Sequence, residues 1–286
     1  MKDNIGQKID EYIRNMPSLP ISVTKILEVC SNPQVSPADL NRVISLDPVL
    51  VGRVLKLINS AYYGLSHKIT NLVRAIIMLG INTVKNLALS STVMGSFVAN
   101  KATNGIDIEG FWRHSLCVGV IARLLAEKRK IDRKMRDVYF HAGLLHDIGK
   151  IPLNAMLKKR YYRIVAAADQ DKISLYLAEE RALKLDHCAA GAAIVRAWKL
   201  DGAVGDAIIY HHNYADYSGP YSDILYSVIV ANRIATMERI GFSGDKYPEN
   251  IEKNLWETLK LDEEFFHEIE DAVKNEIAKA ESFLRI

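Results

Sequence analysis

The stretch Ala142-Gly-Leu-Leu-His-Asp-Ile-Gly-Lys150 joins an apolar helical run to three chemically active side chains. His146 and Asp147 are adjacent, and Lys150 follows one helical turn after His146. Neutral imidazole is the commonest protein ligand for transition metals, and a carboxylate can bridge two hard cations. A lysine can neutralise a substrate phosphate. The stretch therefore predicts a metal-capable position, with Asp147 and Lys150 as catalytic residues if the centre is active.

Four further histidines lie near the ends of predicted helices. His114 is near the start of one helix, His187 opens another, and His211-His212 closes a third. Facing helices of a bundle commonly hold dinuclear centres. Two nearby metals can activate water and clamp both oxygens of an in-line attack at phosphorus. We therefore expect these histidines and the His-Asp pair to converge on a divalent-metal site.

The other three histidines, His67, His141 and His267, are isolated in the sequence and are interpreted as ordinary surface or core residues. The alternative for the whole cluster is a hydrogen-bonded polar core that keeps the shape of a metal site but binds no ion. The sequence leaves both interpretations of the cluster open.

The composition is that of a globular protein, with 49% hydrophobic and 25% charged residues. The 37 basic and 34 acidic residues give a net charge of +3, which argues against a dedicated nucleic-acid binder. A solvent-exposed helix end explains the locally basic run 127–136 at least as well as a nucleic-acid-binding site does. Three dispersed cysteines favour a reducing compartment. With no signal peptide and no long apolar run, we expect a cytoplasmic protein without membrane contact.

Helical periodicity runs along almost the whole chain and predicts an all-α fold. Ser36 and Asp47 each precede a proline, which suits the first helical position, and Asp39 completes a short-armed capping box with Ser36. Later helices are predicted at 73–80, 84–98, 110–129, 133–147, 154–168, 172–184, 187–198, 201–212, 221–240 and 262–284. The polar stretch 100–107 is the predicted boundary between the two main parts of the chain. It would separate an N-terminal helical half (1–105) from a core (106–240) and a C-terminal helical extension (241–286).

The opening stretch resembles the signature of the HD phosphohydrolase superfamily, and the chain before it resembles the HDOD family, a signalling offshoot of HD proteins. The resemblance covers about 15–235 and is carried by Leu19-Pro20, 45–48, 59–64, 75–80, His114-Ser115, 187–191, 198–200 and 210–212. It implies a multi-helix, HD-domain-like bundle with an N-terminal helical subdomain. It also implies a bacterial signalling role, with signalling proteins as partners.

The related HD-GYP proteins, which hydrolyse cyclic dinucleotides, imply two metal positions. The first ligand set carries over to His114, His146 and Asp147, with Asn232 at the position of the family's late aspartate. The second set carries over to Asp147, His187, His211 and His212. The expected cofactor is a divalent metal (Fe, Mn, Zn or Ni), as one or two ions, or none if the site is vestigial.

Two departures from the HD-GYP pattern bear on activity. Asn232 offers only a neutral carbonyl, which weakens the first metal position, and the loop 213–221 lacks the expected Glu and Gly-Tyr-Pro. They favour a regulatory module acting through protein interaction. The alternative is a metal-dependent phosphohydrolase acting on a nucleotide or phosphodiester. The turn at 59–64 is a candidate partner surface, or simply a helix end closed by Gly64.

Overall fold

The computed structural model describes residues 11, 21–30, 32, 34–98, 106–200, 202–261 and 264–280, and these contain helices but no strand. The predicted all-α class is therefore confirmed. The helices are α1 (Ile21–Cys30), α2 (Pro37–Ile44), α3 (Pro48–Ile58), α4 (Leu72–Leu79), α5 (Ile81–Val98), α6 (Ile108–Lys128), α7 (Arg133–Leu145), α8 (Lys150–Leu157), α9 (Lys159–Asp171), α10 (Leu175–Leu183), α11 (His187–Trp198), α12 (Ala203–Tyr210), α13 (Ser222–Met237), α14 (Lys253–Leu259) and α15 (Glu264–Ala280), with a 3-10 turn at Tyr214–Asp216.

The two predicted helix caps of the N-terminal half are present. The Ser36 hydroxyl accepts from the backbone N–H of Asp39 at 3.2 Å, and the Asp39 carboxylate accepts from the backbone N–H of Ser36 at 3.2 Å. Asp47 accepts from the backbone N–H of Leu50 at 3.0 Å. Because each cap satisfies a first-turn amide that has no partner inside the helix, α2 and α3 begin where their sequence predicts.

The turn after α3 joins the N-terminal half to the core. Tyr62 is buried there, its ring centroid 4.9 Å from that of Phe140, and Arg123 lies 4.5 Å above the Tyr62 ring. The Asn59 side chain donates to the carbonyl of Ile69 and accepts from its N–H, both at 2.7 Å. The turn considered as a partner surface therefore buries its aromatic side chains against the rest of the protein.

Helix α6 is the centre of the second half, where it packs against α7, α13 and α15. Helices α6 and α7 cross so closely that glycine is needed at the crossing. A Cβ on Gly119 would lie 2.6 Å from the carbonyl oxygen of Phe140. A Cβ on Gly143 would lie 2.8 Å from the Cα of Gly119. This close approach brings the side chains of His114 on α6 and His146 after α7 near each other, with ring centroids 5.9 Å apart.

Several predicted helices have different bounds in the structure, and two of these differences lie next to the His146-Asp147 pair. The helix predicted at 154–168 is two helices, α8 and α9, which meet at Lys158 with a φ of 45°. Helix α8 begins before Pro152, whose missing N–H costs nothing in a first turn. The helix predicted at 133–147 ends at Leu145, and residues 146–149 form a turn. Most of the predicted boundary, residues 100–105, and positions 281–284 of the last predicted helix lie outside the described residues.

Within the described residues, no single helix combines the length and apolarity needed to cross a membrane. Helix α4 and the first part of α5 meet those criteria only as a pair, across a 117° bend.

Candidate metal centre

The histidines and the aspartate predicted as metal ligands meet inside the second half of the chain. His114 comes from the second turn of α6, and His146 and Asp147 come from the turn after α7. His187 is the first residue of α11, and His211 follows the last residue of α12. All five are at most 2% exposed, so bulk solvent does not reach their polar atoms.

Asp147 is the common neighbour of the histidines. Its Oδ1 lies 3.4 Å from Nε2 of His187 and 3.5 Å from Nε2 of His211. Its Oδ2 lies 3.4 Å from Nε2 of His146 and 2.7 Å from Nζ of Lys150. Burial opposes the ionised form of Asp147, but the positive charge of the Lys150 ammonium beside it outweighs burial and holds the pKa of that carboxyl well below its usual range.

The tautomers of two histidines follow from their hydrogen bonds. Nδ1 of His146 lies 2.7 Å from the carbonyl oxygen of Gly143, and Nδ1 of His211 lies 2.9 Å from that of Ala207. A carbonyl oxygen only accepts, so both neutral rings carry the proton on Nδ1. Their Nε2 lone pairs then face the carboxylate of Asp147. Among the described residues, Nε2 of His146 and Oδ1 of Asp147 have no hydrogen-bond partner.

This donor set fits a divalent cation. Lone pairs of neutral imidazoles that converge on an anionic oxygen repel one another unless a cation lies between them. Donors about 2.1 Å from one ion stand roughly 3.0–3.4 Å apart, and Nε2 of His187 and Nε2 of His211 are separated by 3.3 Å. The donor atoms of two trios, His114-His146-Asp147 and His187-Cys188-His211, lie within 4.8 Å of one another in each trio. The structure thus contains two clusters that could bind metal.

The first trio includes the predicted ligand His114, and Asn232 lies beside it. Oδ1 of Asn232 is 2.9 Å from Nε2 of His114, so the residue at the late-aspartate position is hydrogen-bonded to a histidine. Burial lowers the pKa of His114 to about 3, and the ring is therefore neutral at physiological pH. The structure thus brings the side chains of His114 and Asn232 together.

The second trio differs from the predicted set. Cys188 lies beside His211, with Sγ 3.7 Å from Nδ1, whereas His212 stacks on Tyr176 at a centroid distance of 4.6 Å. His212 is only partly buried, and within the described structure its Nε2 has no hydrogen-bond partner. The sequence analysis did not single out Cys188, although its position next to His187 was a signal that could have been used.

The ammonium of Lys150 is enclosed by three acceptors. It donates to Asp147 at 2.7 Å, and to Ser243 and Asp245 at 3.3 Å each. Burial opposes its charge, but the carboxylates of Asp147 and Asp245 outweigh it and raise the pKa of Lys150. An ammonium has three N–H groups, so all of its donors are in use. Sequence reasoning missed Ser243 and Asp245, since no local motif marks them.

The loop 238–252 closes the centre on one side. Oδ1 of Asp245 also accepts from the backbone N–H of Leu175 at 2.5 Å, which ties the loop to the start of α10. A small pocket adjoins the centre here, lined by Ser174, His211, His212, Ile229, Asn232, Arg233, Thr236, Asp245, Pro248 and Glu249. Arg233 donates to the carbonyl of Asn250 at 2.6 Å, so the loop is also fastened to α13.

In a comparison with known proteins, a family model of the HDOD domain matches residues 16–214. The chain belongs to the HDOD domain family. An HDOD domain protein of unknown function from Geobacter sulfurreducens has a solved structure with a TM-score of 0.77, 26% identity, and coverage of 96% of this chain and 97% of that one.

Two other solved structures share the fold. A candidate phosphohydrolase of Shewanella amazonensis SB2B has a TM-score of 0.70 and 23% identity over 96% of this chain and 97% of that one. A candidate signal transduction protein of Marinobacter aquaeolei VT8 has a TM-score of 0.73 and 21% identity over 99% of this chain and 62% of that one. An uncharacterised protein of Treponema pallidum is 24% identical over 260 residues, which are 91% of this chain. The chain spans about half (49%) of that curated relative's length.

Proposed function

We propose that this chain is a regulatory HDOD module that transmits signals through protein contacts in the bacterial cytoplasm, around a closed metal-binding centre. The observation that carries the proposal is the state of Lys150, whose three donors are all used by Asp147, Ser243 and Asp245. A substrate phosphate would have to displace at least one of these acceptors from a side chain that is 1% exposed. The free cysteines of the chain suit a reducing compartment.

The N-terminal half offers a surface for a partner protein. Among the described residues of this half, four large apolar side chains are exposed: Leu46, Val49, Ile77 and Met78. Leu46 and Val49 flank the Asp47 cap at the start of α3, while Ile77 and Met78 lie on α4. The name of the Marinobacter relative, a candidate signal transduction protein, is consistent with this role.

The metal in this proposal would be held by Asp147 with His146, His187 and His211, and further donors would come from His114, Asn232 and the neighbouring Cys188 or His212. Bound there, a divalent cation would supply positive charge that neutralises Asp147 and joins the ends of α7, α11 and α12. Imidazole and carboxylate donors suit Fe, Mn, Zn and Ni, as one or two ions. The residues of the chain would orient these donors and exclude water from them.

The second candidate function is metal-dependent hydrolysis of a nucleotide or phosphodiester. It is favoured by the unpartnered lone pairs of His146 and Asp147 and by the pocket that reaches His211 and His212. The name of the Shewanella relative is consistent with it. In this alternative Asp147 and Lys150 would act on the substrate, and Lys150 would first have to release at least one of Ser243 and Asp245.

Hydrolysis by the metal-replete protein separates the two functions. We expect the wild type to cleave neither a generic phosphodiester nor nucleotides faster than His146→Ala, because Lys150 is engaged internally. Elemental analysis of both proteins and of His187→Ala, purified without a chelator or a His-tag, should show metal in the wild type that is lost in the variants. Turnover that is abolished by His146→Ala would reject the regulatory proposal in favour of the hydrolase.

The protein-contact part of the proposal needs a separate measurement. A photoreactive amino acid placed at Leu46 or Ile77 is expected to crosslink to a partner protein in the native bacterium. The same substitution at Tyr162, an exposed residue of α9 in the other half, is the matched control. Equal crosslinking from Tyr162, or none from Leu46 and Ile77, would remove the N-terminal half as the interaction surface.

A further inference from the structure

Glu179 is a buried acidic residue whose role the proposed metal centre does not explain by itself. It lies in α10, is 0% exposed, and precedes His187 by eight residues. A turn that ends α10 at Lys184 and begins α11 after the Asp186 cap brings it against the His187 side chain. Burial raises the pKa of Glu179 to about 8, while the hydrogen bonds from Tyr161 and the backbone of His187 favour its ionised form. An acidic side chain is rarely buried in this way unless its hydrogen bonds are satisfied.

The carboxylate of Glu179 accepts hydrogen bonds at both of its oxygens. Its Oε2 accepts from the backbone N–H of His187 at 2.8 Å and from the ring Nδ1 of the same residue at 2.7 Å. Its Oε1 accepts a short hydrogen bond from the hydroxyl of Tyr161. Because a backbone N–H can only donate, Oε2 must act as an acceptor, and the ring bond is most simply Nδ1–H to carboxylate.

This bond determines which ring nitrogen of His187 is available to a metal. With the proton on Nδ1, the lone pair of Nε2 points at Oδ1 of Asp147, 3.4 Å away, and at Nε2 of His211, 3.3 Å away. His211 presents its own Nε2 lone pair because its Nδ1 donates to a carbonyl. The ring of His187 is therefore oriented as a ligand before any ion binds.

We propose that Glu179 is the positioning residue of the centre, which fixes the Nδ1–H tautomer and the ring orientation of His187 and is itself anchored by Tyr161. The inference rests on the proposed binding of a divalent cation. A carboxylate that accepts from the second nitrogen of a metal-bound histidine raises the basicity of the ligand, and its loss typically lowers metal affinity about 10–100-fold. A purely structural Glu179 would cap the first amide of α11 without affecting the ring.

The tautomer is tested first, on protein stripped of metal by a chelator. Histidine-selective ¹⁵N NMR, with the His187 signal assigned through His187→Gln, should show a protonated Nδ1 and an unprotonated Nε2 in the wild type. Glu179→Gln should keep this tautomer, because its amide oxygen can accept both N–H groups and its NH₂ can face Tyr161. Glu179→Ala should lose it. Glu180→Ala, an exposed neighbour on the same helix, is the matched control and should match the wild type.

The second measurement is the affinity of the same proteins for Zn²⁺ and Co²⁺, by competition with a chelator of known affinity. We expect a loss of about 10–100-fold in Glu179→Ala, a smaller loss in Glu179→Gln, and none in Glu180→Ala. An unprotonated Nδ1 in the wild type would overturn the inference, as would equal affinity in Glu179→Ala and the wild type. If the wild type binds neither ion but shows the expected tautomer, the proposed metal binding fails while the positioning by Glu179 stands.

Discussion

The Lys150 ammonium is the positive charge that balances Asp147 and Asp245 in the protein interior. Removing one partner of a buried ion pair leaves an uncompensated charge, which typically costs about 3–5 kcal/mol. We expect Lys150→Met to lower the free energy of unfolding by that amount in chelator-treated protein, as measured by urea denaturation. Lys159→Met, at an exposed position of α9, is the control. A loss below about 1 kcal/mol would show that Lys150 is not needed to balance Asp147.

His141 makes a pH-dependent contribution that is independent of metal ligation. It is fully buried, with Nδ1 3.1 Å from the Ser90 hydroxyl, and burial, aided by Arg123 and Lys85, lowers its pKa to about 3. An unfolded histidine titrates near pH 6.5. Between these values the unfolded state binds the extra proton, so stability falls as the pH drops below about 6.5.

The expected slope for His141 is up to about 1.4 kcal/mol per pH unit. Urea denaturation of chelator-treated protein at pH 7, 6 and 5 should show a weaker loss of stability in His141→Gln than in the wild type. His67→Gln, which changes an exposed histidine, should follow the wild type at each pH. Parallel pH profiles for all three proteins would mean that His141 is protonated in the folded state.

The part of the candidate site that could be predicted was the part with a local signal. His146, Asp147 and Lys150 stand within five residues of one another, and imidazole and carboxylate types indicate metal chemistry directly. Glu179 and Asp245 could not be found in this way, because their roles depend on a turn between two helices and on a distant loop. Donors that are brought together only by tertiary packing leave no periodicity in the sequence.

At the scale of secondary-structure elements, the Ser36 capping box is a local feature with a measurable energy. The Ser36 hydroxyl and the Asp39 carboxylate satisfy each other's backbone N–H groups at the start of α2. We expect Ser36→Ala to destabilise the protein by about 1 kcal/mol, measured as a shift of the urea midpoint at unchanged slope. Ser66→Ala, at an exposed loop position, should leave the midpoint unchanged. An unchanged midpoint in Ser36→Ala would show that the box does not contribute to stability.

The starts of α2 and α3 were predicted from their capping residues, whereas several other helix bounds lie two to four residues from the prediction. Serine, aspartate and proline mark starts through hydrogen bonds and a fixed φ, which the sequence displays. Several ends, by contrast, are closed by lysines in the left-handed conformation: Lys172, Lys184, Lys199 and Lys260. Glycine and asparagine are the usual signals there, so the lysines themselves did not mark these ends, although the predicted ends at 184 and 198 lie within one residue of the ends of α10 and α11.

At the scale of the whole molecule, Gly241 is where the loop 238–252 meets the centre. Its φ is +70°, and a Cβ would lie 2.3 Å from the backbone nitrogen of His114 and 2.5 Å from the carbonyl oxygen of Gly110. The left-handed conformation alone costs a residue with a side chain about 1–2 kcal/mol, and the contact adds to this. We therefore expect Gly241→Ala to lower stability by more than about 2 kcal/mol and to weaken metal binding through His114.

The matched control for Gly241→Ala is a glycine with free space around it. A Cβ on Gly52 of α3 would meet nothing within 4 Å, so Gly52→Ala should stabilise the protein by about 0.5–1 kcal/mol. Thermal and urea denaturation of both variants gives the comparison. Equal effects of the two substitutions would show that the loop adapts to the extra methyl group and does not hold α6 in place.

The enclosure of Lys150 by Ser243 and Asp245 also bears on how much chain is required to make one cooperative unit. The family match ends at residue 214, yet Asn232, which contacts His114, and Asp245, which contacts both Lys150 and the first amide of α10, come after it. A fragment cut at the family's last matched residue would therefore leave a buried cation and a helix start without their partners. The segment by which relatives are recognised is shorter than the segment that must fold together.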